Sequence, residues 1–403
     1  MKIFTSGCAL ALALGLSTAQ AASHEIRAIF QPDSSQPGKN VFVNQTPNSG
    51  YCATYPDQCA ENGTFSIQLP IRFNASHIGA NWGVGIKVPA NWRRLTVTNM
   101  DTQETEIVEV RITGVGSNYV LNRPAHEIVG VDNPLLGHQK LWESSSWVYA
   151  PSPCQYSGVG AYEPASYRFF WKTPIEGYCA KKSTAFIGAM YFDTLDFAYE
   201  LRTPNPLGMS SGLYTGSLTY SLGRAGDFSM GADFQPDDSS LTLDFVLDVQ
   251  HTLKVDLPPG GDQVSLEPVG GWARWLDSGR KPTRIFRDQL FYLSASSRFK
   301  VLMLCSSTGG PACKLGSPKG DTTEVEVFLT LPAGITDSSG NNVTRHPLNF
   351  NVWAGPFLPG VYVDRKPGSL LFEMTPFAID FLLQPGKADR LRGNITIIWD
   401  SDV

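Results

Sequence analysis

The sequence predicts an all-β protein made of two β-sandwich domains. Three observations carry this. Apolar and polar residues alternate with period two in many short runs. The runs are divided by turn residues, with 38 Gly and 28 Pro against only 17% charged residues. No run has a helical period long enough to form a major element. The chain also closes on such a run: in Leu391 to Val403, Ile395, Ile397 and Trp399 share one face, while Asn394, Thr396 and Ile398 share the other.

Residues 1–21 read as an export signal. Lys2 supplies a positive start, Ala9 to Leu16 a short apolar run, and Ala19-Gln20-Ala21 a cleavage site. The apolar run is too short to span a bilayer. Ile26, Ala28 and Phe30 then alternate, and a loop-like stretch follows from Gln31 to Gly63.

Strand candidates come next: Thr64 to Phe73, Gly83 to Val88, Arg94 to Asn99, Glu106 to Ile112 and Tyr119 to Leu121. Trp142 to Tyr149 and Tyr167 to Trp171 are aromatic runs. Phe186 to Phe192, Leu195 to Arg202 and Leu213 to Leu222 follow. Leu241 to Leu257 is the longest run, with acids on its outer face, and reads as one half-buried strand.

That run ends at Pro258-Pro259-Gly260-Gly261-Asp262, where two prolines and two glycines stop a sheet. The expected organisation is therefore a first domain over 22–257, a linker over 258–262 and a second domain over 263–403. The second has roughly 140 residues, the size of one sandwich. Its strand candidates are Arg298 to Leu304, Glu324 to Leu331, Leu348 to Ala354, Leu370 to Met374, Ala378 to Leu383 and the terminal run.

Loss of the leader removes Cys8 and leaves six cysteines. An even count in an exported chain points to disulfides. Clustering favours Cys52–Cys59, Cys154–Cys179 and Cys305–Cys313, with other pairings left open by sequence alone. No Cys-x-x-Cys occurs and the histidines are scattered, so no metal site and no cofactor are expected. A net charge of −5 gives no electrostatic case for nucleic acid.

Enzyme chemistry finds little support. Gly208-Met209-Ser210-Ser211-Gly212 matches the serine-hydrolase elbow, with Asp248 and His251 following in order. That elbow needs a strand before the serine and a helix after it. Here a Pro/Asn turn precedes it and a strand follows. Asp237-Asp238 and Glu104 with Glu106 offer paired carboxylates, but in turns or on outer strand faces. The expectation is a non-enzyme.

Binding is better supported. Trp82, Trp92, Trp142, Trp147, Tyr149, Tyr167 and Trp171 lie near Arg93, Arg94 and Arg168, a combination suited to glycans. Most of the tryptophans are expected in the core. Arg224 sits between small residues in Gly223-Arg224-Ala225-Gly226-Asp227, free to reach a partner.

The chain resembles the minor, tip-located subunits of alternate (alpha-type) chaperone–usher fimbriae, the colonisation-factor-antigen group. The likeness is carried by the ending Leu391-Arg392-Gly393-Asn394-Ile395-Thr396-Ile397, by the larger domain closed by a long strand before a pilin-sized one, and by Gly212 to Tyr220. It implies two immunoglobulin-like β-sandwich domains. The C-terminal one is then an incomplete pilin domain whose last strand borders an open groove. Gly393, Ile395, Ile397 and Trp399 would line that groove edge. A periplasmic chaperone, and later the N-terminal strand of an adjacent (major) pilin subunit, would fill it.

The resemblance further implies an outer-membrane usher as partner, export through the periplasm to the fimbrial tip, and attachment to a host glycan or protein receptor. Basic residues near the late strands of the first domain would meet that receptor, which points to Arg224. The family's paired basic residues are not reproduced, since Gly223 precedes Arg224. Because Ile26 to Phe30 leads straight into a loop and a large domain, it is expected to pair within that domain. The alternative is a secreted β-sandwich lectin or carbohydrate-active enzyme.

Overall fold

A computed structural model describes residues 22–387 and 390–401. The leader, Cys8 and Val403 lie outside the described residues. The chain is all-β and forms two sandwich units with separate cores.

The first unit curls one large sheet around a core of aliphatic and aromatic side chains. Its spine is Thr105–Leu121, a single 17-residue strand. It joins the two candidates Glu106 to Ile112 and Tyr119 to Leu121 through Gly114 and Gly116. Both glycines stay in the strand because Phe170 packs against them. A Cβ on Gly114 would stand 2.6 Å from the Phe170 ring, and one on Gly116 2.5 Å from the Phe169 carbonyl. Conversely, Thr64 to Phe73 is not one strand: Pro70 separates Ile67–Leu69 from Phe73–Ala75. Trp142 to Tyr149 is a loop whose Trp142 and Trp147 are fully buried.

Ala22–Phe30 lies parallel to Ser240–Val249, in register from Ala22↔Leu241 to Phe30↔Val249. Ser240–Val249 also pairs antiparallel with Gly212–Ser221. The N-terminal strand is thus held inside the first sheet.

The expected single strand Leu241 to Leu257 is two. Ser240–Val249 belongs to the first sheet, whereas Leu253–Asp256 pairs with Ile285–Ala295 in the second unit. The chain changes sheets at Gln250 to Thr252, ahead of the Pro/Gly stretch. His251 secures the crossing: Nε2 lies 2.9 Å from the Met209 carbonyl and Nδ1 3.0 Å from Ser296 Oγ. Burial lowers the pKa of His251.

The second unit packs two sheets face to face. One runs Leu253–Asp256, Ile285–Ala295, Val363–Glu373, Thr322–Thr330, Ala312–Gly316 and Thr308–Gly309. The other runs Ile335–Thr336, Trp353–Pro359, Phe299–Cys305 and Ile395–Ser401. Leu348 to Ala354 is not one strand: His346–Leu348 and Trp353–Pro359 join different sheets. Ala378 to Leu383 is not a strand either. It lies in the helix Pro376–Leu382, started by Thr375, whose hydroxyl accepts from the Ala378 amide at 3.2 Å, and by Pro376 at the first position.

Candidate functional site: an open seam and an exposed face

The terminal strand Ile395–Ser401 pairs antiparallel with Phe299–Cys305, opposing Ile395 to Cys305, Ile397 to Met303 and Trp399 to Val301. Its other edge pairs with no strand among the described residues. The consequence shows in cross-strand pairs. Val301 and Met303 are fully buried, whereas Trp399 and Ile397, directly opposite them, are only half-buried. Neighbours in one sheet differ because one strand has a covering neighbour on each side and the other does not.

Across the gap stands the edge of the facing sheet, Leu253–Asp256 and then Glu267–Pro268, both paired to Ile285–Ala295. A groove opens between the edges, lined by Val264, Leu266, Leu315, Phe372, Gly393 and Ile395. Leu253, Val255, Leu266, Leu315, Ile395, Ile397 and Trp399 rest half-covered against the core along this seam. At Gly393 the chain passes close to the facing sheet: a Cβ there would meet Leu315 Cδ2 and the Lys314 carbonyl, each at 3.0 Å. The third disulfide, Cys305–Cys313, ties the strand beside the seam to Ala312–Gly316.

The four arginines singled out in the first unit have different surroundings. Arg168 donates to Asp196 Oδ2 at 3.3 Å, and Asp196 is fully buried. Burial raises the pKa of Asp196, and the Arg168 charge opposes the shift. Arg93 pairs with Asp227 and lies 5.2 Å over the Tyr220 ring. Arg94 donates to Glu109 at 2.9 Å. Arg224 is exposed and has no hydrogen-bond or ion-pair partner among the described residues.

Its loop is nonetheless firm. Asp227 accepts from the Ser221 amide at 2.8 Å and hydroxyl at 2.9 Å, and Gly223 adopts φ +112°. Arg93 and Arg94 are adjacent on one strand. Arg168 opposes Asn118, whereas Arg93 opposes Val110, so along the shared spine they stand about 26 Å apart.

The aromatic residues divide similarly. Trp142, Trp147, Trp171 and Tyr167 are core, and Trp92 is held between Arg111 and Arg202 at 4.7 and 3.9 Å. Trp82 and Tyr149 are exposed, as are Tyr156, Ile175, Tyr178 and Phe186, which the sequence did not mark. The remaining disulfides are Cys52–Cys59 and Cys154–Cys179, with Cα separations of 5.5 and 5.7 Å.

Ser210 is not hydrogen-bonded to His251 among the described residues. It is buried, its amide donates to Glu104 at 3.0 Å, and Arg298 approaches its hydroxyl at 3.4 Å. Both ring nitrogens of His251 are engaged elsewhere, and Asp248 accepts from Gln250 at 2.9 Å. The Gly/Ser stretch belongs to the junction between the two units.

No protein-family model matches the chain, and no curated protein matches it. Among solved structures it is similar, over 95% of its length, to one described as a chaperone–tip adhesin complex vital for synergistic activation of CFA/I fimbriae biogenesis (11% identity, 97% of that chain, TM-score 0.26). It is also similar, over 94% of its length, to CfaE, the adhesive subunit of CFA/I fimbria of enterotoxigenic Escherichia coli (10% identity, 92% of that chain, TM-score 0.26). A third is the CsuC–CsuE chaperone–tip adhesion subunit pre-assembly complex from archaic chaperone–usher Csu pili of Acinetobacter baumannii (9% identity over 94% of this chain and 98% of that one, TM-score 0.23). At these identities and TM-scores the likeness carries no argument of its own.

Proposed function

We propose that this chain is a non-enzymatic fimbrial tip adhesin assembled by the chaperone–usher route. In this reading the unit that begins at Leu253 acts as a strand-accepting pilin domain, residues 22–249 as the adhesive domain and Gln250 to Thr252 as the crossing between them, ahead of the 258–262 linker expected from the sequence. The observation that carries it is the seam beside Ile395–Ser401. A sheet edge with unpaired backbone groups and half-covered Ile395, Ile397 and Trp399 is an aggregation hazard unless another strand lies on it. An extended strand supplies both backbone partners and alternate side chains for the groove, which is strand addition to an exposed edge.

The donors are a periplasmic chaperone and then the adjacent major pilin, delivered at an outer-membrane usher. Ala22–Phe30 is already paired in the first sheet and so is not free to be lent to a further subunit. That supports the tip, on the cell surface, as its place. The first unit then meets a host glycan or protein receptor. Arg93, Arg94 and Arg168 are committed to carboxylates, and Arg224 is the arginine we assign to receptor contact.

Periplasmic expression tests the reading. Alone, the mature chain is expected to be degraded or aggregated. Co-expression of a chaperone encoded beside it, or fusion of a donor strand after Val403, is expected to rescue a soluble monomer. A stable monomer with neither would overturn it.

A further inference from the structure

An antiparallel bridge joins Ile78 to Ile187 at one end of the first unit. It lies beyond the pair Met190↔Leu121, where the 17-residue spine stops. The other end of that spine abuts the junction with the second unit: Glu104 accepts from the Ser210 amide, and Arg298 approaches Ser210. The two ends are about 50 Å apart along the strand. Ile78 and Ile187 are buried, so their chain neighbours His77, Gly79, Phe186 and Gly188 turn to the outer face.

Two glycines leave room on that face, and two side chains from elsewhere fill it. The Trp82 indole lies over Gly79: a Cβ there would stand 2.6, 2.7 and 2.8 Å from Trp82 Cε2, Cδ2 and Nε1. Three ring atoms at nearly equal distance mean that Gly79 meets the plane of the indole, not its edge. The Asn122 side chain lies over Gly188, whose Cβ would meet Nδ2 at 2.8 Å. His77 ties the patch together. Its ring is 6.1 Å from that of Phe186, with planes at 26°, and 5.6 Å from that of Trp82. Trp82, His77, Phe186 and Asn122 therefore share one face. Trp82 is 47% exposed and Phe186 61%, so the indole is seated on one face and open on the other.

The patch is preformed. The Trp82 amide donates to the Gly79 carbonyl at 3.1 Å across a turn with Asn81 at φ +65°. Buried Ser183 pins that turn, its hydroxyl donating to the Gly79 carbonyl at 2.8 Å and its amide to the Trp82 carbonyl at 3.0 Å. A platform fixed in advance loses little entropy on binding.

The chemistry on offer is uncharged ring faces with polar atoms beside them. Arg123, next to Asn122, pairs with Glu127 at 3.6 Å, and Lys182, next to Ser183, pairs with Glu143 at 3.7 Å. His77 Nδ1 lies 3.2 Å from Ser76 Oγ. His77 Nε2 and the Asn122 amide have no hydrogen-bond partner among the described residues. Rings and polar atoms so placed complement the apolar face and the hydroxyls of a pyranose. Size points the same way. At about 200 Å² for a whole aromatic side chain, the open parts of Trp82 and Phe186 come to roughly 200 Å². A stable protein interface takes about 800 Å² from each partner.

We propose that this patch is a subsite for a neutral glycan, with pyranose faces on Trp82 and Phe186 and hydroxyls on Asn122 and His77. The inference rests on the adhesive reading, in which the end of the first unit remote from the second meets the receptor. It adds to Arg224 an uncharged contact surface.

The test is a glycan array followed by titration, using the mature chain with its seam filled by a chaperone or fused strand. Neutral oligosaccharides are expected to bind, with little change between about 50 and 500 mM salt. Trp82→Ala, Phe186→Ala and Asn122→Ala are each expected to weaken binding about tenfold, as loss of one stacking or hydrogen-bond contact does. Trp82→Tyr keeps a stacking ring and is expected to retain most of the binding. Tyr149→Ala, at an exposed ring elsewhere in the first unit, is expected to change nothing. Unaltered melting curves show that each variant is folded. If Trp82→Ala melts early, Phe186→Ala decides the case.

The proposal is overturned if the chain binds no glycan. Binding only of sialylated or sulfated glycans, with a steep salt dependence, also overturns it, as does a loss confined to Arg224→Ala. So does retention on an apolar matrix, or capture of a protein receptor, through Trp82 and Phe186 with no glycan bound. Adhesion of fimbriated cells, measured in parallel, separates the two claims. Adhesion that needs the chain but ignores Trp82→Ala and Phe186→Ala sinks the glycan site and keeps the adhesin. Cells that adhere equally without the chain, while its purified form binds neutral glycans through Trp82, sink the adhesin and keep the site.

Discussion

Trp399, opposite Val301 in the terminal strand, sets its indole edge-on against Phe291 of the facing sheet, with ring centroids 5.1 Å apart. It also lies 5.9 Å from Phe299. The last strand is therefore bound to both sheets through one ring at the margin of an open seam. Trp399→Ala removes that link. With the seam filled, the loss is expected to be about 3 kcal/mol, at the low end for a core aromatic because the site is half-covered. Urea unfolding of the complemented chain measures it, with Ile398→Ala, on the outer face, as the comparison expected to cost much less.

Lys181 is a second structural anchor. Its side chain is buried, and Nζ donates to the carbonyls of Ser144, Ser145 and Ser146 at 3.1 to 3.2 Å. Burial pulls its pKa down to about 8. Ser144 and Ser145 both adopt positive φ, a conformation that the ammonium holds in place. Lys181→Met keeps the volume and leaves the carbonyls without a donor, for an expected loss of about 2–4 kcal/mol. Thermal melting checks it against Lys182→Met, an exposed neighbour expected to stay within about 0.5 kcal/mol.

The junction is expected to weaken in acid. Burial lowers the pKa of His251, so below its ordinary value near 6.5 the unfolded chain takes up a proton that the fold resists. Stability then falls as pH drops. Glu104 adds to this lower down. Burial opposes its ionisation, but hydrogen bonds from Ser210 and Tyr214 outweigh that and hold its pKa below 4.5. Its contribution is present above that value and is lost as pH falls through the folded pKa. Unfolding midpoints should therefore drop from about pH 7 to 5.5. His24 and His138, whose pKa values burial also lowers, act in the same direction, so His251→Asn should reduce that first decline without abolishing it, and a variant profile identical to the parent's would refute the assignment.

Removing Cys305–Cys313 by double serine substitution frees the strand beside the seam from Ala312–Gly316. A loop this short predicts a loss of about 2–3 kcal/mol. Because the bridge lies in the second unit, the melting of the first is expected to be unchanged, which calorimetry resolves if the two units melt separately.

The terminal strand was legible because Ile395, Ile397 and Trp399 obey period two and nothing interrupts them. The change of sheets at Gln250 to Thr252 was not. The alternation of Ser240–Val249 runs on into Leu253–Asp256, and the crossing depends on His251 meeting Met209 and Ser296, which are distant in sequence. The run Ala378 to Leu383 is apolar enough for either structure, and the cap at Thr375-Pro376 decides it. Aromatic density near arginines pointed to the first unit. It could not separate core Trp171 from exposed Tyr156, because their exposure follows from how the Cys154–Cys179 segments pack. Arg93, Arg94 and Arg168 resemble Arg224 in sequence; their carboxylate partners come from other strands or loops.

Amide hydrogen exchange along Ile395 to Ser401 tests the central claim most directly. It is read in the chain held by a non-covalent chaperone or free donor peptide, and again after the partner is competed away. With the partner bound, the amides that face away from Phe299–Cys305 should be protected like those that face it. On its removal they should exchange fastest in the second unit, with loss of the monomer. Protection of those amides in a stable chain without any partner would contradict the open seam and the function built on it.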